Sequence, residues 1–311
     1  RLYICGLGLY HCELNGKKVG SEHLTPYCNA YDQWLQYQTY DICDQLVGGE
    51  NQLSVMLGNG WYKGRYGLQM GPGSSATYGD QFALICELRM TLASGKELIL
   101  GSDETWQAVP APVIESSIYD GETFDARLVQ PSLGSKNVAC VRALDWDTAK
   151  LEARRSLPVC VNEEIKPLAV IHTPAGESVL DMGQNMVGWV RFKTCAPEGT
   201  VITLQYGEVL QNGNFYRDNL RTAKAEYTFI ANGKETIAQP YFTFYGFRYV
   251  KVTGWVGELS PDDFTGCVVY SKMDLTGEIE TSNEKVNQLF RNALWGQKGN
   301  FLDIPTDCPQ R

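Results

Sequence analysis

Apolar and polar residues alternate in short runs from Leu2 to about Leu128. Leu53, Val55 and Leu57 share one parity after the Gly48-Gly49 turn, and Phe82, Leu84, Cys86, Leu88, Met90 and Leu92 share another up to Ser94-Gly95. Leu98 and Leu100 then return as the second arm of a hairpin. A period of two puts every second side chain on one face, which is how a half-buried strand reads. Leu14-Asn15-Gly16-Lys17 places Asn-Gly where a type I′ turn needs two residues at positive φ. Residues 1–128 are therefore expected to form an antiparallel β-sandwich.

The alternation weakens over 129–166, where Pro131-Ser132-Leu133-Gly134-Ser135 and the charged pair Arg154-Arg155 read as a segment crossing between domains. It returns over 167–273, with Ile202, Leu204 and Tyr206, an Asn232-Gly233 turn, the aromatic run Tyr241 to Phe247, and then Arg248, Val250 and Val252. This is read as a second sandwich. Over 274–311 the period changes to that of a helix: Val286, Leu289, Phe290, Ala293 and Leu294 fall at i, i+3, i+4, i+7 and i+8. Thr281 is expected to cap it by its hydroxyl, with Glu284 three residues on. The apolar stripe needs partners that neither sandwich is expected to supply, so removing everything after Asp274 is expected to leave both sandwiches folded.

The 311 residues carry a net charge of −9 and no cluster of Lys and Arg interleaved with aromatics, which argues against a nucleic-acid partner. No run approaches the roughly 18 apolar residues of a membrane span. The chain begins at Arg1 in a strand-like segment, as though an amino-terminal part were missing. Ten cysteines are scattered without a Cys-x-x-Cys pair, and only three histidines accompany them, so neither a zinc site nor a disulfide framework is expected. Reduced thiols and a cytoplasmic location follow from that reading.

Candidate chemistry is sparse. Asp120, Glu122 and Asp125 lack the spacing and central Gly of a helix-loop-helix calcium loop, and a solvated or Arg127-paired turn is the simpler reading. Gly58-Asn59-Gly60 and Gly71-Pro72-Gly73-Ser74 miss the dinucleotide and phosphate-loop patterns, so they are expected to shape a long loop. Trp61, Tyr62, Tyr66 and Tyr78 lie in or beside it and fit either a sugar-stacking surface or rings that pin the loop. Trp189, Tyr241, Phe242 and Phe244 are most simply core. Cys308 has no histidine partner in a recognisable arrangement and is read as a structural thiol. Asp307, taken alone, is a helix cap leaving a proline-bounded turn, and Arg311 a solvated cation.

The closing run Asn300-Phe301-Leu302-Asp303-Ile304-Pro305-Thr306-Asp307-Cys308-Pro309-Gln310-Arg311 resembles the opening of the catalytic barrel of bacterial α-L-rhamnosidases. Asp120-Gly121-Glu122-Thr123-Phe124-Asp125-Ala126-Arg127 looks like the motif closing that family's amino-terminal sandwich. Asp181-Met182-Gly183-Gln184-Asn185-Met186-Val187-Gly188-Trp189 and Tyr206-Gly207-Glu208-Val209-Leu210 look like its concanavalin-like domain. The resemblance covers nearly the whole chain in the family's domain order. It implies two jelly-roll-like β-sandwiches followed by the first helix of an (α/α)₆ barrel. It also implies an inverting hydrolase of terminal α-L-rhamnosides or rhamnose-containing polysaccharides, with no cofactor and no metal. In that family the aspartate at the place of Asp307 lines the rhamnose subsite, while the general acid lies in an Asp-Glu-Arg-x-Gly-Trp segment, here expected after Arg311. A fragment without that segment is expected to be inactive, and the resemblance leaves a homo-oligomer open. Two other readings stand beside it: a non-catalytic carbohydrate-binding protein of two sandwiches, and a secreted disulfide-bonded adhesin.

Overall fold

The computed structural model describes residues 1–65, 76–128 and 138–306. In the amino-terminal part, a five-stranded sheet runs Leu151–Ala153, Leu35–Tyr40, Leu2–Leu7, Ala83–Thr91, Glu97–Gly101, and a three-stranded sheet runs Lys17–Lys18, Leu9–Leu14, Leu53–Gly58. Leu2, Ile4 and Cys86 of the first sheet pack with Tyr10, Cys12 and Leu14 of the second, making a small sandwich core. The Asn15-Gly16 turn is as expected, with φ of 54° and 72° and Leu14 paired to Lys17. The hairpin between Ala83–Thr91 and Glu97–Gly101 also forms, with Leu88 opposite Leu100 and Met90 opposite Leu98.

The second part is one ten-stranded sheet that curls around its own core. Its spine is the 17-residue strand Ser178–Thr194, whose register with Tyr245–Thr253 breaks between Asp181 and Met186. Beyond the break the same strand pairs with Phe264–Ser271 and, at its end, with Thr236–Ala238. Trp189, Phe192, Tyr206, Tyr227, Phe229, Phe247 and Phe264 are buried inside the curl. Tyr206 and Tyr245 stack with centroids 3.8 Å apart and planes 8° from parallel. The Asn232-Gly233 turn is present, with Gly233 at φ 76°, but the strands flanking it pair with other strands and not with each other.

The two parts share strands and a core. Val113–Ser117 and Gly121–Asp125 join the second sheet, the latter parallel to Glu226–Ile230. That pairing brings backbones so close that a Cβ on Gly121, at φ 108°, would lie 1.7 Å from the Glu226 carbonyl oxygen. Within 129–166, Leu151–Ala153 lies parallel to Leu35–Tyr40 of the first sheet and Val159–Ile165 pairs with Phe264–Ser271 of the second. Cys5, Leu7 and Leu9 belong to the same buried cluster as the second sheet's aromatics, so the strand Leu2–Leu7 buries both its faces.

The helix forms over Glu284–Gly299. Its cap differs from expectation: the Asn283 side chain accepts the Lys285 N–H at 3.0 Å, while the Thr281 hydroxyl donates to Asn287 Oδ1 at 2.9 Å. Asn is as good a cap as Thr, and it stands one residue before the first helical position, where the cap geometry requires it. Among the described residues no helix is long and apolar enough to cross a membrane.

Candidate functional site

The helix leads into the stretch that ends at Asp307. Asn300 terminates it, its backbone N–H reaching the Gly296 and Gln297 carbonyls, and Phe301–Leu302 then pairs with Ile304–Pro305 in a tight hairpin. The Thr306 N–H closes the hairpin onto the Asn300 carbonyl at 2.9 Å. Leu302 is 1% exposed and enters the main core. Asp307, Cys308 and Arg311 lie outside the described residues, as do Tyr66 and Gly71-Pro72-Gly73-Ser74.

Asp303, at the tip of the hairpin, is the residue that sequence reasoning passed over. It has φ 70°, is buried, and donates its backbone N–H to the Ser271 hydroxyl at 2.7 Å. Neither carboxyl oxygen makes a hydrogen bond of normal geometry among the described residues. Burial pushes the carboxyl up to about 6, outweighing the Ser156 hydroxyl and Cys28 N–H that face it and favour the anion. The hairpin thus meets the Cys28 loop of the first part and Ser156 of the crossing segment at the Asp303 carboxyl, and Ser271 of the second sheet at the Asp303 backbone N–H.

The helix docks through its last turn. Lys298 Nζ lies 2.6 Å from Glu163 Oε1, which also accepts the Tyr270 hydroxyl at 2.9 Å, and the ammonium sits over the Trp295 and Tyr270 rings. The predicted stripe stays largely in solvent: Val286 is 42% and Leu289 67% exposed, and no helix residue is fully buried.

The three carboxylates of the 120–125 segment go to three different environments. Asp125 binds Arg127 in a two-point ion pair, as anticipated, with contacts of 2.8 and 2.6 Å. Asp120 instead receives Arg65 Nε and Nη2 at 3.0 and 2.7 Å, a pairing across 55 residues that spacing cannot reveal. Glu122 points inward and accepts the Tyr241 and Phe242 backbone N–H groups. Among the described residues no group of three or more His, Cys, Asp or Glu side chains is placed to hold a metal ion.

Of the ambiguous aromatics in the long loop, Trp61 is buried while Tyr78 keeps 39% of its surface exposed. Trp61 is 8% exposed and lies against Phe244, and Tyr62 and Tyr78 both pack on Tyr31. Trp189, Phe242 and Phe244 are core, with Tyr241 partly buried beside them. No disulfide joins the described cysteines. Burial pushes the Cys12 thiol up to about 12 and the Cys86 and Cys267 thiols up to about 11, so they stay protonated and unreactive.

Comparison with known proteins gives three consecutive family matches. The α-L-rhamnosidase N-terminal domain matches residues 1–163, the bacterial α-L-rhamnosidase concanavalin-like domain 171–270, and the bacterial α-L-rhamnosidase 6 hairpin glycosidase domain 274–311. An α-L-rhamnosidase of Streptomyces avermitilis is 39% identical over all of this chain and 31% of its own length, and one of Formosa agariphila is 36% identical over all of this chain and 34% of its own. The chain therefore spans about a third of the curated relatives it matches. Among solved structures, native α-L-rhamnosidase from Aspergillus terreus superposes with a TM-score of 0.94 at 38% identity, covering the whole chain and 37% of that protein. The Streptomyces avermitilis enzyme complexed with L-rhamnose superposes at 0.92 and 37% identity, covering the whole chain and 30% of that protein. With the curled sheet, the shared core and the closing helix all reproduced along its full length, the chain belongs to the α-L-rhamnosidases, a glycoside hydrolase family.

Proposed function

We propose that the whole protein removes terminal α-L-rhamnose from rhamnosides or rhamnose-containing polysaccharides with inversion of configuration. The observation that carries this reading is the end-to-end likeness to a relative solved with L-rhamnose, which continues into the glycosidase region at 274–311. Inversion uses two carboxyl groups roughly 6.5 to 9.5 Å apart, one protonating the leaving oxygen and one activating water. In this reading both lie after Arg311, and Asp307 accepts two hydroxyl hydrogens of the rhamnose ring in charge-assisted bonds. The Asp303 hairpin supports it by fixing the backbone four residues before Asp307 at a three-way junction. No metal and no cofactor enter the scheme. The described cysteines, which are free thiols, support a reducing, cytoplasmic setting.

As a reading of folding units we keep 1–128, 129–166, 167–273 and 274–311, with Gly121–Asp125 lent to the second sheet. The deciding experiment is hydrolysis of an aryl α-L-rhamnoside, followed by NMR of the released sugar. The full-length protein should release the inverted anomer, and residues 1–311 alone should release nothing. Retention of configuration, or turnover by residues 1–311, would sink the assignment of the catalytic pair.

A further inference from the structure

The curled sheet opens in a mouth at the Ser178 end of its longest strand. His172, Ser178 and Val252 are successive cross-strand partners there, on the strands Ala169–His172, Ser178–Thr194 and Tyr245–Thr253. Val252 shares its parity with the core residue Val250, so this row looks into the concave side of the curl. The turn after Tyr245–Thr253 folds over the row, carrying Trp255, Glu258 and Leu259. Between row and turn lies a cleft of about 540 Å³, within the roughly 300 to 1,000 Å³ of small-molecule sites.

The cleft is lined by one aromatic ring together with several polar residues. The Trp255 ring is backed by Phe264 at 4.8 Å and Phe192 at 6.0 Å, and its indole N–H is held by the Glu258 carbonyl at 3.3 Å. These contacts fix the ring in place while leaving it partly exposed to the cleft. His172, Ser178 and Glu258 also line the cleft, and their side chains make no hydrogen bond among the described residues. A rigid indole offers the weakly polar C–H face of a ring somewhere to lie, and the free acceptors and donors suit hydroxyls around its rim.

We propose that this mouth is a binding site for a neutral pyranoside. The sugar ring stacks on Trp255, Glu258 accepts two of its hydroxyls, and His172 and Ser178 reach the others. This rests on the proposed function for the identity of the sugar and not for the existence of the site.

The test is isothermal titration of residues 1–311, and of the full-length protein, with methyl α-L-rhamnopyranoside, followed in parallel by tryptophan emission. Saturable binding in the millimolar range is expected. Trp255→Phe, which keeps the packing on Phe192 and Phe264, should weaken it about five- to tenfold. Glu258→Gln, on an exposed turn, should weaken it about tenfold. Absence of saturable binding, or binding undisturbed by both variants, would overturn the site. Failure of aryl rhamnoside hydrolysis alone would overturn the proposed activity and leave the binding result to be judged by itself.

Discussion

Glu122 Oε2 accepts the Phe242 backbone N–H at 2.8 Å, joining segments 120 residues apart in the interior of the molecule. The same carboxyl takes the Tyr241 N–H at 3.0 Å, so one side chain satisfies two donors that the aromatic run between Thr236–Ala238 and Tyr245–Thr253 would otherwise bury unpaired. Desolvation nevertheless dominates, and pushes the carboxyl up to about 8 against the pull of those two N–H groups.

Because the folded-state value lies above the unfolded one, the folded protein holds the extra proton between about pH 4.5 and about pH 8. Glu122 therefore contributes a stability that is full at the acid end of that window and is lost as pH rises through about 8. Glu122→Gln, which stays neutral, should flatten this slope. Its melting temperature should exceed that of the wild type at about pH 9 by an amount reflecting a few kcal/mol, with little difference at about pH 5. Parallel slopes for the two proteins would remove Glu122 as the source.

Local signals carried the fold well. Alternation marked Leu53–Gly58, Ala83–Thr91 and Tyr245–Thr253, and the Asn15-Gly16 turn was readable because type I′ geometry demands those residues. What sequence could not show was partnership across distance. The parallel seating of Gly121–Asp125 beside Glu226–Ile230 and the Arg65–Asp120 pair depend on the curl of the second sheet, which has no period of its own. Asp303 was overlooked for a related reason: beside the Pro-bounded Asp307 it reads as one more loop acid, and only burial singles it out.

Asp303 gives a second pH effect at a strained backbone position. With its carboxyl raised from 3.8 to about 6, stability from this group falls as pH climbs through that interval and is flat above it. Asp303→Asn should be as stable as the wild type or more so above about pH 6, since Asn tolerates a left-handed φ and carries no buried charge. Asp303→Ala should be destabilised at every pH by about 1 to 2 kcal/mol of backbone strain. Thermal melts of both variants across that range would decide it, and an Asn variant weaker than Ala would show that the anion itself is needed.

The carboxy-terminal helix separates into a free face and an anchored end. Leu289→Gln, at a position 67% exposed, should change stability by no more than about 0.5 kcal/mol and reduce self-association. Leu302→Ala, by contrast, opens a cavity in the main core and should cost about 2 to 5 kcal/mol. Cutting the chain after Asp274 removes Leu302 and Trp295 together. Both sandwiches are expected from sequence to stay folded without that segment, but the shorter chain should melt below the longer one. Equal denaturant midpoints for the two would show that the hairpin contributes nothing to the β-sheet core.

The last prediction concerns Asp307 in the full-length protein. If its carboxylate accepts two rhamnose hydroxyls, Asp307→Asn keeps the shape of the group but removes its charge and turns one acceptor into a donor. The loss should be about 1.5 to 3 kcal/mol in kcat/KM, the worth of a hydrogen bond to a charged group, and more where the amide opposes a hydroxyl hydrogen. The melting temperature should not move, because a residue that acts on bound sugar adds nothing to the core. Competition by free L-rhamnose should weaken in step with kcat/KM, which a helix cap would not cause. Unchanged kinetics with a lowered melting temperature would assign Asp307 to the backbone it caps and leave recognition of rhamnose to other residues.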